Sequence, residues 1–134
     1  MRTKKALTLD DARKIAAAAE TEAIGNNWPV CIAVVDDGAH LLYFQRLDGA
    51  QLASIDIALA KARSALLGKR ATKVYEDMIS GGRHAALSMP GITFLEGGVP
   101  IIVDGEPVGA VGVSGVKSSQ DAQIAQAGID ALFA

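Results

Sequence analysis

Aromatic residues are scarce in this chain: one Trp, two Tyr and three Phe make up 4% of its 134 residues. A core without many large rings must be filled by small side chains and close backbone approaches, and the 14 glycines and abundant alanine suit that demand. Cysteine occurs once, as Cys31, which excludes an intramolecular disulfide and any Cys-based zinc or iron–sulfur site. Cys31 lies in an apolar run and reads as a small buried hydrophobe. A basic cluster is also missing. Thirteen Lys and Arg against 15 Asp and Glu leave a formal net charge of −2, which removes the electrostatic footprint of a nucleic-acid binder. No run approaches the ~18 apolar residues of a membrane span, and the opening MRTKKALTLDD has no apolar signal-peptide core. With half the residues hydrophobic and 21% charged, disorder is a poor reading. The expectation is one cytoplasmic domain over residues 1–134, with no nucleic-acid or membrane partner.

The chain is punctuated by caps and turns. Thr8 with Asp11 predicts a helix start, and Ala12, Ile15, Ala16 and Ala19 form its inward stripe. Gly25-Asn26-Asn27 ends it. Val30–Val35 is a continuous apolar strand, expected to be central in its sheet. Asp37-Gly38 turns it into a second strand, His40–Leu47. Gln51–Leu67 reads as a helix with Ile55, Leu59, Ala62 and Leu66 inward. Thr72 caps a shorter helix, with Val74, Tyr75, Met78 and Ile79 inward. Arg83–Gly98 is the least regular stretch, interrupted by Pro90-Gly91 and Gly97-Gly98. Val99–Val103 and Val108–Val113 make a second hairpin around Asp104-Gly105, and Ser118 with Asp121 caps a last helix. Tight turns make both strand pairs antiparallel, so the class is α+β.

Several residues could carry chemistry. Arg46-Leu47-Asp48-Gly49-Ala50 joins a strand end to a helix start, where free N–H groups attract an anion. Arg46 adds a bidentate donor, and Asp48 either orients such a group or only caps the helix. Ser54 and Lys61 share a helical face but lie ~10 Å apart along it, too far for a hydrolytic Ser–Lys pair. With Ala58 and Ala65 they make a small-residue face suited to a subunit contact, Lys61 at its edge. Gly97-Gly98 either lets backbone approach a ligand or serves a tight loop with positive φ. Gly109–Gly115 has neither a Walker lysine nor a GxGxxG in a βαβ unit, so its glycines leave room for a helix or ligand against the sheet. His40 and His84 lack a second ligand at metal spacing, and no metal site is expected. They are the candidate axial ligands for a haem, with Met89, Tyr43 and Tyr75 behind them. Without CxxCH, such a haem would be non-covalent.

Taken in order, Val34-Val35-Asp36-Asp37-Gly38, Phe44 to Ala50, Ser54, Lys61-Ala62, Gly97 to Ile101, Val108 to Gly115, Gln120-Asp121 and Ala127-Gly128 resemble the GlcG/HbpS-like family of small haem-binding proteins. That family includes the C-terminal domain of PduO-type proteins, and the likeness runs from about Thr8 to the end. It implies a profilin-like or PAS-like antiparallel sheet of five strands, order 2-1-5-4-3, with helices on both faces. It further implies a homo-oligomer, with dimers assembling further, often to octamers. Several members bind or handle haem, some accompany glycolate or diol use, and others act on small reactive metabolites. The shared motifs point to a ligand cleft near a subunit boundary, suited to an anion and formed by Arg46, Asp48, Ser54, Lys61, Gly97, Gly98, Ser114 and Asp121. The haem-ligand candidates lie outside those motifs. Glu96 departs from the family pattern, and a carboxylate there disfavours a haem propionate.

Three functions follow as expectations. The first is a haem or tetrapyrrole binder, engaged in haem handling or accessory to a catabolic pathway. The second is a hydrolase or isomerase for a small carboxylated metabolite, with Arg46 holding the carboxylate and Asp48, Glu96 or His84 as acid–base group. The third is an accessory subunit without chemistry.

Overall fold

The computed structural model describes residues 1–134. Helix α1 (Leu9–Gly25) starts with a reciprocal capping box. Thr8 Oγ1 accepts from the Asp11 N–H at 3.1 Å, and Asp11 Oδ2 accepts from the Thr8 N–H at 2.9 Å. Two donors that a helix start leaves free are thereby satisfied. Ala12, Ile15, Ala16 and Ala19 form its buried stripe, as the periodicity predicts. Asn27, left-handed at φ 59°, turns the chain through Trp28 and Pro29 into β1 (Cys31–Asp36).

The β1–β2 turn places Ala39, not Gly38, in the left-handed region at φ 68°. Asp36 Oδ1 holds this turn by accepting from the N–H groups of Gly38 and His40. After β2 (Leu41–Arg46) come α2 (Ser54–Gly68), α3 (Lys73–Ser80) and a 3₁₀ turn (His84–Ser88). Strands β3 (Gly98–Val103) and β4 (Glu106–Ser114) then lead to α4 (Ser118–Leu132). Asp104 and Gly105 both have positive φ, 52° and 78°, the geometry of a two-residue hairpin turn that matches strand twist.

All strand pairs are antiparallel, in the order β2-β1-β4-β3. β1 lies between β2 and β4, and both of its faces are covered, which is why it reads as an unbroken apolar run. On one face Ile32, Val34, Ile101, Val111 and Val113 pack with α1 and α4. On the other, Cys31, Ala33, Val35 and Ala110 pack with α2. The edge strand β3 carries Pro100 and a register shift at Ile101/Ile102, two features that discourage further pairing.

This corrects the expected five-stranded sheet of order 2-1-5-4-3: four strands are present, and the irregular stretch after α3 adds none. Pro90 has no amide donor to give a ladder, and Gly91 turns the chain at φ 70°. The N–H of Thr93 goes to Ser64 Oγ at 2.8 Å and that of Glu96 to Glu76 Oε1 at 3.4 Å. Side chains of α2 and α3 thus take amides that a strand would need.

The inward face of α2 is also not the expected one. Ser54, Ala58, Lys61, Ala62, Ser64, Ala65 and Leu66 are buried, while Ile55 and Leu59 are only partly so. The small-residue face meets this chain's own sheet rather than a subunit contact. Its reason is the glycines below it: a Cβ on Gly112 would lie 2.0 Å from the Ala58 carbonyl oxygen, and one on Gly98 would lie 2.2 Å from that of Lys61. The helix descends to a distance that bulky residues would forbid. In α3 only Tyr75 is buried, and Val74 is exposed. Thr72 makes no side-chain cap there. Helix α4 is capped at Lys117, whose N–H donates to Gln120 Oε1, and not by Ser118 with Asp121.

Candidate functional site

Six of the eight motif residues meet along one buried seam under α2. Lys61 and Asp121 are each 2% exposed, and Lys61 Nζ donates to Asp121 Oδ2 and to the Val113 carbonyl, both at 3.0 Å. Asp121 Oδ1 accepts from the Val116 N–H at 3.2 Å. The ion pair therefore ties the middle of α2 to the first turn of α4 across the end of β4. Burial pushes the Asp121 carboxyl above the usual carboxylate range, while the Lys61 ammonium and the N–H groups of Val116 and Gly115 pull it back. Gly97, at φ 134°, leaves the space that Lys61 fills: a Cβ there would stand 2.7 Å from Nζ. Gly98 donates its N–H to Thr72 Oγ1 at 2.9 Å, and its carbonyl accepts from the Thr72 N–H at 2.9 Å. At the start of α2, the Ser54 and Ser114 hydroxyls lie 3.3 Å apart.

Ser64 and Thr72, both buried, complete the seam, although the sequence marks neither as a site residue and gives Thr72 only as a helix cap. Ser64 follows Lys61 by three residues on the same face, a signal that was readable. Thr72 has no local signal beyond its false resemblance to a cap.

Arg46 borders this seam and Asp48 does not. Cys31 pairs in register with Arg46 on β2 and with Ser114 on β4, so the three residues form one row on the α2 face of the sheet. Arg46 is exposed at the end of that row. Burial pushes the Cys31 thiol up, and Arg46 pulls it partly down. Asp48 lines a separate surface cavity of about 430 Å³, with Glu20 and Ile24 of α1, Asn27, Trp28, Pro29 and Leu47. It does not cap α2, which begins at Ser54 behind Ala53 with no side-chain cap. Of the other acid–base candidates, Glu96 lies against α3 and His84 lies on the exposed 3₁₀ turn. His40 is exposed at the first hairpin, its Nδ1 3.9 Å from Asp36 Oδ1. Tyr75 is buried against Phe94, ring centroids 5.9 Å apart, and Met89 is partly buried. No group of three or more His, Cys, Asp or Glu side chains could hold a metal ion. No helix is long and apolar enough to cross a membrane.

The chain is 51% identical over 114 residues to Protein GlcG of Escherichia coli K12, 85% of each chain. A crystal structure of Klebsiella pneumoniae protein ORFY superposes with a TM-score of 0.92 at 36% identity, over 100% of this chain and 95% of that one. The crystal structure of a PduOC:heme complex superposes with a TM-score of 0.85 at 30% identity, over 95% of each chain. Residues 7–130 match the family described as haem degrading protein HbpS-like. The protein belongs to this GlcG/HbpS-like family, related to the haem-binding fold of the PduO C-terminal domain.

Proposed function

We propose that this protein binds haem non-covalently, with His84 as axial ligand, in a slot completed by a second copy of the chain. The observation that carries the reading is the setting of His84. It stands exposed on the 3₁₀ turn that also presents Leu87, 61% exposed, and packs beside α3, where Val74 is exposed. Phe94 stacks edge-on against Tyr75 of α3, tying the segment that carries the exposed Leu95 to the same helix. An imidazole among uncovered apolar side chains suits one face of a porphyrin, and the exposed Arg83 beside it suits a propionate. His40, beside the Asp36 carboxylate at a hairpin tip, has a less apolar setting. The haem-bound relative supports the same ligand class.

The cavity of about 430 Å³ beside α1 does not suit haem, because Glu20 and Asp48 would repel the propionates. A single chain therefore offers a platform and not an enclosed slot, and exposed Leu41, Leu52, Leu67 and Leu87 are consistent with a homo-oligomer, a dimer or larger. Bound haem would supply the redox and ligand chemistry of its iron, while the chain supplies the axial nitrogen and the apolar wall. The role is haem handling or service to a catabolic pathway.

Hemin titration tests this reading. A saturable Soret band is expected, retained in His40→Ala and lost or strongly shifted in His84→Ala. A Soret response unchanged in His84→Ala refutes the assignment. Sedimentation showing only monomer with hemin bound refutes the shared slot.

A further inference from the structure

The cavity between the end of α1 and the β2–α2 connection is not used by the proposed haem site, and its chemistry is distinct. Its wall includes Glu20, Trp28 and Asp48, with Ile24, Pro29 and Leu47 as the apolar part and no basic side chain. Neither carboxylate enters any of the chain's ion pairs or side-chain hydrogen bonds, although four surface carboxylates elsewhere are paired with Lys or Arg. Asp48 is also free of the capping duty that its position before a helix suggests, since α2 begins six residues later without a side-chain cap. Trp28 is the chain's one tryptophan. One part of it packs on the core with Leu47 while it also lines the cavity. The left-handed turn at Asn27 (φ 59°), itself part of the lining, leads directly into Trp28 and Pro29.

An aromatic wall flanked by two unpaired carboxylates attracts one class of ligand. The face of an indole ring is electron-rich and draws a cation, and each carboxylate adds Coulomb attraction. The apolar side chains favour a cation that carries methyl or methylene groups over a bare metal ion, whose hydration shell they could not replace. At about 430 Å³ the space suits a small molecule. We infer that the cavity bounded by Glu20, Trp28 and Asp48 is a binding site for a small organic ammonium ion. The inference does not depend on haem binding, and either can fail without the other.

Choline chloride is the probe, titrated into the full chain without hemin at constant total chloride. Its neutral analogue 3,3-dimethylbutan-1-ol, with carbon in place of nitrogen, is the control. Trp28 is the only indole, so its emission reports the cavity wall directly. A saturable emission change is expected with choline in the millimolar range, with binding about tenfold weaker for the neutral analogue. Asp48→Asn and Glu20→Gln keep side-chain shape at sites with some exposure, and each should weaken choline about fivefold. No saturable change with choline overturns the proposal. So does equal binding of the neutral analogue, or unchanged affinity in either variant.

Discussion

Lys61→Met should destabilise the fold by about 3–5 kcal/mol, because it leaves the Asp121 carboxylate buried without its cation. The magnitude follows from the geometry. Both groups are 2% exposed, the pair is 3.0 Å apart, and water cannot take the place of the lost ammonium. Only the Val116 and Gly115 N–H groups still stabilise the charge. For a domain of this size such a loss lowers the melting temperature by roughly 10–20 °C. The deficit has a defined pH dependence. Burial already raises the folded-state pKa of Asp121, and removing Lys61 removes the largest influence that lowers it. A raised folded pKa means the unfolded chain ionises first. The penalty is therefore absent below the unfolded value near 3.8, grows as pH rises, and is complete once pH passes the folded value. Lys61→Met should be closest to the parent in acid and furthest from it at neutral pH and above. Adding Asp121→Leu should recover much of the loss, since an apolar pair of similar volume leaves no orphaned charge. Urea titrations followed by far-ultraviolet circular dichroism, run across pH on the parent, both single variants and the double variant, measure the coupling. A loss below about 1 kcal/mol in Lys61→Met, or strictly additive variants, would refute the reasoning about the seam.

Three further outcomes are expected. Gly112→Ala should cost about 1–3 kcal/mol or more by forcing α2 off the sheet, whereas Gly25→Ala, with nothing within 4 Å of the new methyl, should be neutral or mildly stabilising; thermal melts of the two compare them. Asp11→Asn should weaken α1 at neutral pH and match the parent in strong acid. The Thr8 N–H holds the folded Asp11 pKa below its ordinary 3.8, so the stabilisation is present above that value and lost as pH falls through the folded one. Cys31, fully buried with its thiol pushed up, should ignore an aromatic disulfide reagent in the native protein and react with one equivalent in urea.

Features with short-range causes were legible in the amino-acid order. The Thr8–Asp11 box, the α1 stripe and the Asp104-Gly105 turn depend on residues one to four positions apart, and β1 advertises its two covered faces by an unbroken apolar run. Motif order likewise identified the family and grouped Arg46, Asp48, Ser54, Lys61, Gly97, Gly98, Ser114 and Asp121 in one expected cleft, of which all but Arg46 and Asp48 lie along the seam under α2. What those residues do there was decided by tertiary structure. Asp121 looks like a cap because it follows Ser118 by three positions, yet its partner is Lys61, sixty residues away, and no local pattern encodes such a contact. The small face of α2 looked like a surface for another subunit because its complement, Gly98 and Gly112, lies on strands formed much later in the chain. Pro90 and Gly91 argue locally against a fifth strand, but the acceptors that take the amides of Thr93 and Glu96, Ser64 and Glu76, are in place only once α2 and α3 have packed. Arg46 and Asp48, two residues apart in one motif, were parted by the end of β2, one toward the α2 face and the other into the cavity beside α1.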